Sequence, residues 1–164
     1  PMHHVIPQKS VRRDELSPAE VRARVVDEHR RLRVLLAGLQ TLAREVTIDA
    51  SRDEALRSAL RVLIGEFALH LASEEELLLP LVARVDAWGD ERAARMREEH
   101  RVQRALLRRM FRRLEERSLT PNDLAVEVDG LVLRIFHDMR DEEAELLDEA
   151  LLHDDAVVID QICG

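Results

Sequence analysis

Along most of this chain apolar residues recur at alternating steps of three and four, and each of four such stretches carries one histidine in its stripe. That spacing is the seam of helices packed side by side. The first stretch reads Val25, His29, Leu32, Leu36, Leu39, Ala43, Val46, and the second Leu56, Leu60, Leu63, Phe67, His70, Glu74, Leu77, Leu81. The third reads Ala93, Met96, His100, Gln103, Leu107, Met110, Leu114, and the fourth Val126, Gly130, Leu133, His137 before it turns acidic. Helix starts are marked by a capping box with proline at Ser17-Pro18-Ala19-Glu20, a second box at Ser51-Arg52-Asp53-Glu54, Asp90-Glu91 after Gly89, and Thr120-Pro121-Asn122-Asp123. These signals predict helices over 18–46, 52–86, 90–117 and 121–152, with Pro80 kinking the second or ending its main part. Short links make sequential helices antiparallel, so the expected fold is all-α, an up-down-up-down four-helix bundle over residues 17–152. Residues 1–16 read as an arm and 153–164 as a tail.

Composition agrees and removes several functions. At 164 residues the chain is one domain. Aromatic residues are 2% and tyrosine is absent, which disfavours a strand-built fold and excludes a tyrosyl radical. A net charge of −8 argues against nucleic acid as a partner. No apolar run reaches roughly 18 residues, so no membrane span is expected. Cys163 is the only cysteine, which leaves no intramolecular disulfide and no thiolate metal site. No basic-then-apolar leader is present, so the expected compartment is the cytosol, and Pro1 before Met2 reads as a remnant of cloning.

The polar groups in the stripes carry the functional argument. An unpaired buried imidazole or carboxylate costs several kcal/mol. A lone histidine on an apolar stripe is usually a satisfied core residue, but here there is one per helix, with Glu74 a turn beyond His70. His29 and His100 fall early in their helices, His70 and His137 later, so antiparallel packing brings all four to one level. A metal ion is the partner such a layer calls for. Imidazole with carboxylate suits iron, manganese or zinc. The Glu-x-x-His motif of ferritin-like di-iron bundles is absent, and His-x-x-x-Glu stands in its place.

The segments Asp27-Glu28-His29, His70-Leu-Ala-Ser-Glu74-Glu75 through Pro80, Arg97-Glu-Glu-His100 and Phe136-His137-Asp-Met-Arg-Asp141-Glu142, in that order over residues 18–152, resemble the pattern of the hemerythrin-like (HHE) family. The resemblance implies a non-haem centre of two iron ions with a bridging oxygen and two bridging carboxylates. Carried over by position, His29 and His70 would ligate one iron, His100 and His137 the other, and Glu74 would bridge. The second bridge is Glu142 or Asp141. Asp141 keeps the four-residue spacing of His70 to Glu74. Glu142 keeps the five-residue spacing of the oxygen carriers and restores the apolar stripe through Leu146 and Ala150, so it is favoured, at the cost of a local π-bulge. The oxygen carriers place a further histidine where this chain has Arg104, which leaves an exchangeable position on the second iron and speaks against simple oxygen transport.

Other features have plainer readings. The arginine row 97, 101, 104, 108, 112 reads as ion pairs with acidic neighbouring helices, Gly130 as close packing or a path to the metals, Trp88 as a plug at the bundle end, and Gln103 as a hydrogen bonder behind the ligands. His3, His4 and His153 read as non-ligands. The functional expectation is a di-iron protein that binds or turns over a small gaseous or peroxide ligand (hydrogen peroxide, nitric oxide, dioxygen), as an oxidoreductase in redox stress. The alternative is a sensor or store of oxygen, iron or redox state without turnover.

Overall fold

Four long helices form because each start is capped and each carries one apolar face. The structure, a computed structural model, describes residues 16–152, so His3, His4, His153, Cys163 and nearly all of the expected arm and tail lie outside the described residues. The helices are α1 (Pro18–Ile48), α2 (Asp53–Val82), α3 (Gly89–Glu115) and α4 (Pro121–Glu145), and no strand occurs among the described residues. At the start of α1, Ser17 Oγ accepts from the Glu20 N–H at 3.3 Å and Glu20 Oε2 accepts from the Ser17 N–H at 2.7 Å. Thr120 caps α4 through the Asp123 N–H, with Pro121 in the first turn. A cap of this kind is worth about 1 kcal/mol.

Three boundary expectations are corrected. The box at Ser51 does not form. Asp49 accepts from the Ser51 N–H at 3.0 Å and starts a short 3-10 turn, Ala50–Arg52, that leads into α2. An aspartate readily reaches the N–H two residues on. Helix α2 runs through Pro80, which lacks only its own N–H bond, and stops two residues later at Val82, where the Ala83 N–H bonds the Leu79 carbonyl at 3.1 Å and the Arg84 N–H turns to Leu81. Helix α4 stops at Glu145 rather than near 152, and the chain folds back so that Leu146, Leu147 and Leu152 are buried. The Arg22 Nε–H donates to the Leu147 carbonyl at 2.6 Å and ties this turn to α1.

The stripes of α1 and α3 are buried as their spacing predicts. The lower stripe of α2 runs through Leu78 and Val82, with Leu77 and Leu81 half-buried. The expected stripe of α4 is wrong. Val126 and Leu133 are 71% and 63% exposed, and Gly130 and His137 face solvent with them. The buried face is Leu124, Val128, Leu131, Ile135 and Met139, continued by the mostly buried Glu142. Both rows are apolar at helical spacing, and burial went to the row with the larger aliphatic content. Gly130 therefore packs on nothing, since a Cβ there would meet open space. Trp88 is 66% exposed and plugs no end.

Helix α1 packs on both α2 and α4, and α2 on α3, while the α3–α4 seam is held least closely. A cavity of about 360 Å³ runs along that seam. Two apolar clusters fill the interior. The larger contains Leu36, Leu63, Leu114 and Met139, the smaller Val25, Leu78, Met96 and Leu146. On every helix the residue between the clusters is polar: His29, Glu74, His100 and Glu142. Among the described residues no helix is long and apolar enough to cross a membrane.

Gly89 begins α3 where the chain turns back against α2, and a Cβ there would sit 2.5 Å from the Val82 carbonyl oxygen. Gly89→Ala should therefore lower stability by about 1–3 kcal/mol, as overpacking does. Gly38→Ala, in the exposed middle of α1 with open space around it, should raise stability by about 0.5–1 kcal/mol. Urea unfolding of the two variants checks the opposite signs.

Candidate metal centre

The polar layer between the clusters is built around Glu74, which is fully buried on α2. Its Oε1 lies 3.3 Å from His70 Nε2 and 3.7 Å from His29 Nε2, and its Oε2 lies 3.2 Å from His100 Nε2. Glu142 of α4 brings Oε2 to 3.3 Å from His29 Nε2. His29, His70, Glu74 and Glu142 each offer one ligand atom within 4.8 Å of the others. The His29 and His70 rings meet edge to face at 4.9 Å, and Phe67 stacks on His70.

The other ring nitrogens are held from outside. His29 Nδ1 lies 2.9 Å from Glu143 Oε1, His70 Nδ1 3.0 Å from Glu28 Oε2, and His100 Nδ1 3.1 Å from Glu75 Oε1. A carboxylate takes the Nδ1–H, so the lone pair of each ring stands at Nε2 and points into the layer. Each support is itself anchored. Arg33 donates to Glu143 at 2.9 Å, Ser73 to Glu28 at 3.0 Å, and Arg104 to Glu75 at 2.7 Å. Arg104, expected both as the position of a missing histidine and as an ion-pair partner of a neighbouring helix, makes that ion pair and steadies the acid behind His100.

Burial raises the Glu74 carboxyl, yet the imidazoles of His100 and His29 outweigh it and hold the group down at about 2. Burial lowers His29, but Glu142, Glu74 and Glu143 lift it to about 10. Glu142 is pushed up by burial and by the charge of Glu74. Attraction between these charges does not satisfy the layer, because His29 Nε2, His100 Nε2 and both oxygens of Glu74 are buried without a hydrogen-bond partner. Orphaned nitrogen and oxygen atoms converging in a dry layer, with no thiolate among them, fit a cation of the iron, manganese or zinc kind.

Of the residues singled out in the sequence, His29, His70, Glu74, Glu142 and His100 meet here. His137 does not. Its side chain is 60% exposed and pairs on the outer surface with Asp141, Nδ1 to Oδ2 at 2.9 Å. On a regular helix residues five apart point about 140° away from each other, so Glu142 inward puts His137 outward. The expected π-bulge is absent, for α4 stays regular through Glu145. Gln103 bonds behind the layer as expected, its Nε2–H donating to Asp138 Oδ2 at 3.0 Å. Of the arginine row, Arg104 crosses to α2, whereas Arg101 pairs with Glu98 of its own helix.

Sequence reasoning missed Glu28, Glu75, Glu143 and Asp138. Three of them had a signal: each glutamate sits next to a stripe residue, before His29, after Glu74 and after Glu142. An acid one position off the core face is aimed at the neighbouring helix.

The family model of the hemerythrin HHE cation binding domain matches residues 21–150. No curated protein and no solved structure matches the chain. The match takes in all four helices and every residue of the polar layer, and it follows that this chain belongs to the hemerythrin HHE cation-binding domain family.

Proposed function

We propose that the chain holds two iron ions in its polar layer and there binds or turns over a small oxidant or gas: hydrogen peroxide, nitric oxide or dioxygen. The observation that carries this reading is the convergence of three imidazole Nε2 atoms on Glu74, each ring with its Nδ1 on a carboxylate. His29, His70, Glu74 and Glu142 would hold one ion, and His100 with the far oxygen of Glu74 would contribute to the other. Iron would supply reversible one-electron redox steps beside an exchangeable coordination position. The protein's own part is to exclude bulk water with the two apolar clusters, to fix each ring by its outer carboxylate, and to admit small molecules along the α3–α4 seam, where the cavity reaches Gln103 and Glu142.

A second reading is a sensor or store of oxygen, iron or redox state. It draws on the position of the layer between the two apolar clusters, which couples metal content to the integrity of the whole bundle.

Protein purified from iron-replete cells without chelator should contain about two iron ions per chain and show oxygen-to-iron charge-transfer bands when oxidised. Elemental analysis that finds only zinc, or no metal, would end the reading.

Removing the iron should lower the melting temperature, because the ions bind the folded chain and relieve its orphaned groups. Equal melting temperatures with and without iron would move the site out of the core.

Turnover separates the two functions. Diferric protein that decomposes peroxide, or diferrous protein that consumes nitric oxide, well above an equal amount of free iron supports an oxidoreductase. Rates no higher than free iron support the sensor or store.

A further inference from the structure

We propose that Asp138, in place of His137, is the fourth-helix ligand of the second metal position, the one beside His100. The inference rests on the metal-centre reading and gives that centre an unsymmetrical ligand set.

The first argument is helical geometry. Glu142 faces the layer, and α4 is regular around it. A residue four positions earlier lies about 40° round the helix from Glu142 and shares its face, whereas one five positions earlier lies about 140° away. Asp138 is the first and His137 the second. Asp138 lines the α3–α4 cavity with Gln103, Met96 and Glu142. His137 stands on the outer surface, engaged with Asp141.

The second argument is the way the layer is supported. Each histidine of the layer is held by a side chain from the neighbouring helix, in one sense around the bundle. Glu143 of α4 holds His29 of α1, Glu28 of α1 holds His70 of α2, and Glu75 of α2 holds His100 of α3. The next member of the series is Gln103 of α3, and what it holds on α4 is Asp138. The chemistry of the support changes with the chemistry of the ligand. An imidazole ligand needs an acceptor for its Nδ1–H, and the first three supports are carboxylates. A carboxylate ligand needs a donor on one oxygen while the other binds metal, and the fourth support is an amide N–H on Oδ2.

The third argument is what is left unpaired. His100 Nε2, 1% exposed in its residue, and the Oε2 of Glu74 are orphaned on this side of the layer, and so is the Oε1 of the buried Gln103. His100, Glu74, Glu142 and Asp138 together supply one nitrogen and three carboxylates, a harder set than the two-histidine position of His29 and His70.

The test is metal counting on the full chain. Wild type, Asp138→Asn and His137→Asn are loaded with ferrous iron without oxygen, desalted and analysed for iron and protein, with circular dichroism to check folding. The expected counts are two ions for wild type, one for Asp138→Asn and two for His137→Asn. Gln103→Glu, which removes the donor and opposes two acids, should weaken the second equivalent at least tenfold while sparing the first. Two ions in Asp138→Asn, or one in His137→Asn, overturns the assignment. Should Asp138→Asn fold poorly, Asp138→His decides. An imidazole at a true ligand position keeps two ions and shifts the visible charge-transfer bands of the loaded protein once it is oxidised in air, and unchanged bands overturn the assignment. A wild type saturating at one ion also overturns it, leaving the His29, His70, Glu74 and Glu142 site alone. A wild type that takes up no iron instead overturns the metal-centre reading beneath it.

Discussion

Everything in this bundle is arranged around one buried carboxylate. Glu74 lies with no exposed surface between two apolar clusters, facing imidazole nitrogens from three helices. A lone ionised carboxylate in such a place would cost many kcal/mol. Its partners must therefore arrive at the right height on α1, α2 and α3, and this requirement sets the register of those helices more tightly than aliphatic packing does. Leucine seams tolerate a slip of one turn, whereas a seam with one histidine per turn-height does not.

The layer is ordered outward as well as inward. Three glutamates fix the ring orientations, and Arg33, Ser73 and Arg104 fix the glutamates. Each of these links joins two different helices. The network thus does for the polar level what the aliphatic clusters do above and below it: it makes the four helices one cooperative unit. Pre-set rings also mean that an arriving cation meets lone pairs already aimed at it.

The bundle is not closed equally on all sides. The pairs α1–α2, α1–α4 and α2–α3 are packed, and the α3–α4 seam carries the cavity. The seam opens on Gln103 and on Glu142, whose Oε2 lies 3.3 Å from His29 Nε2. Such an asymmetry leaves one seam as the route by which small molecules reach the polar layer, while the packed seams keep bulk water from its other sides.

The sequence by itself determined the fold class, the spans of α1 and α3 and their buried faces, and the convergence of His29, His70, His100 and Glu74. In each case one residue pattern had a single way to bury its apolar surface. The fourth-helix acid stayed open between Asp141 and Glu142. It did not determine the face of α4, because Val126, Leu133 and His137 make a helical row as regular as Leu124, Val128 and Ile135, and only packing against α1 chose between them. That choice left His137 paired with Asp141 on the surface, turned Glu142 into the layer, and removed the need for a bulge. The supports Glu28, Glu75 and Glu143 were likewise decided by tertiary structure. Hydrogen bonds between side chains on different helices depend on how those helices are rotated about their axes, and spacing along one chain carries no record of that rotation.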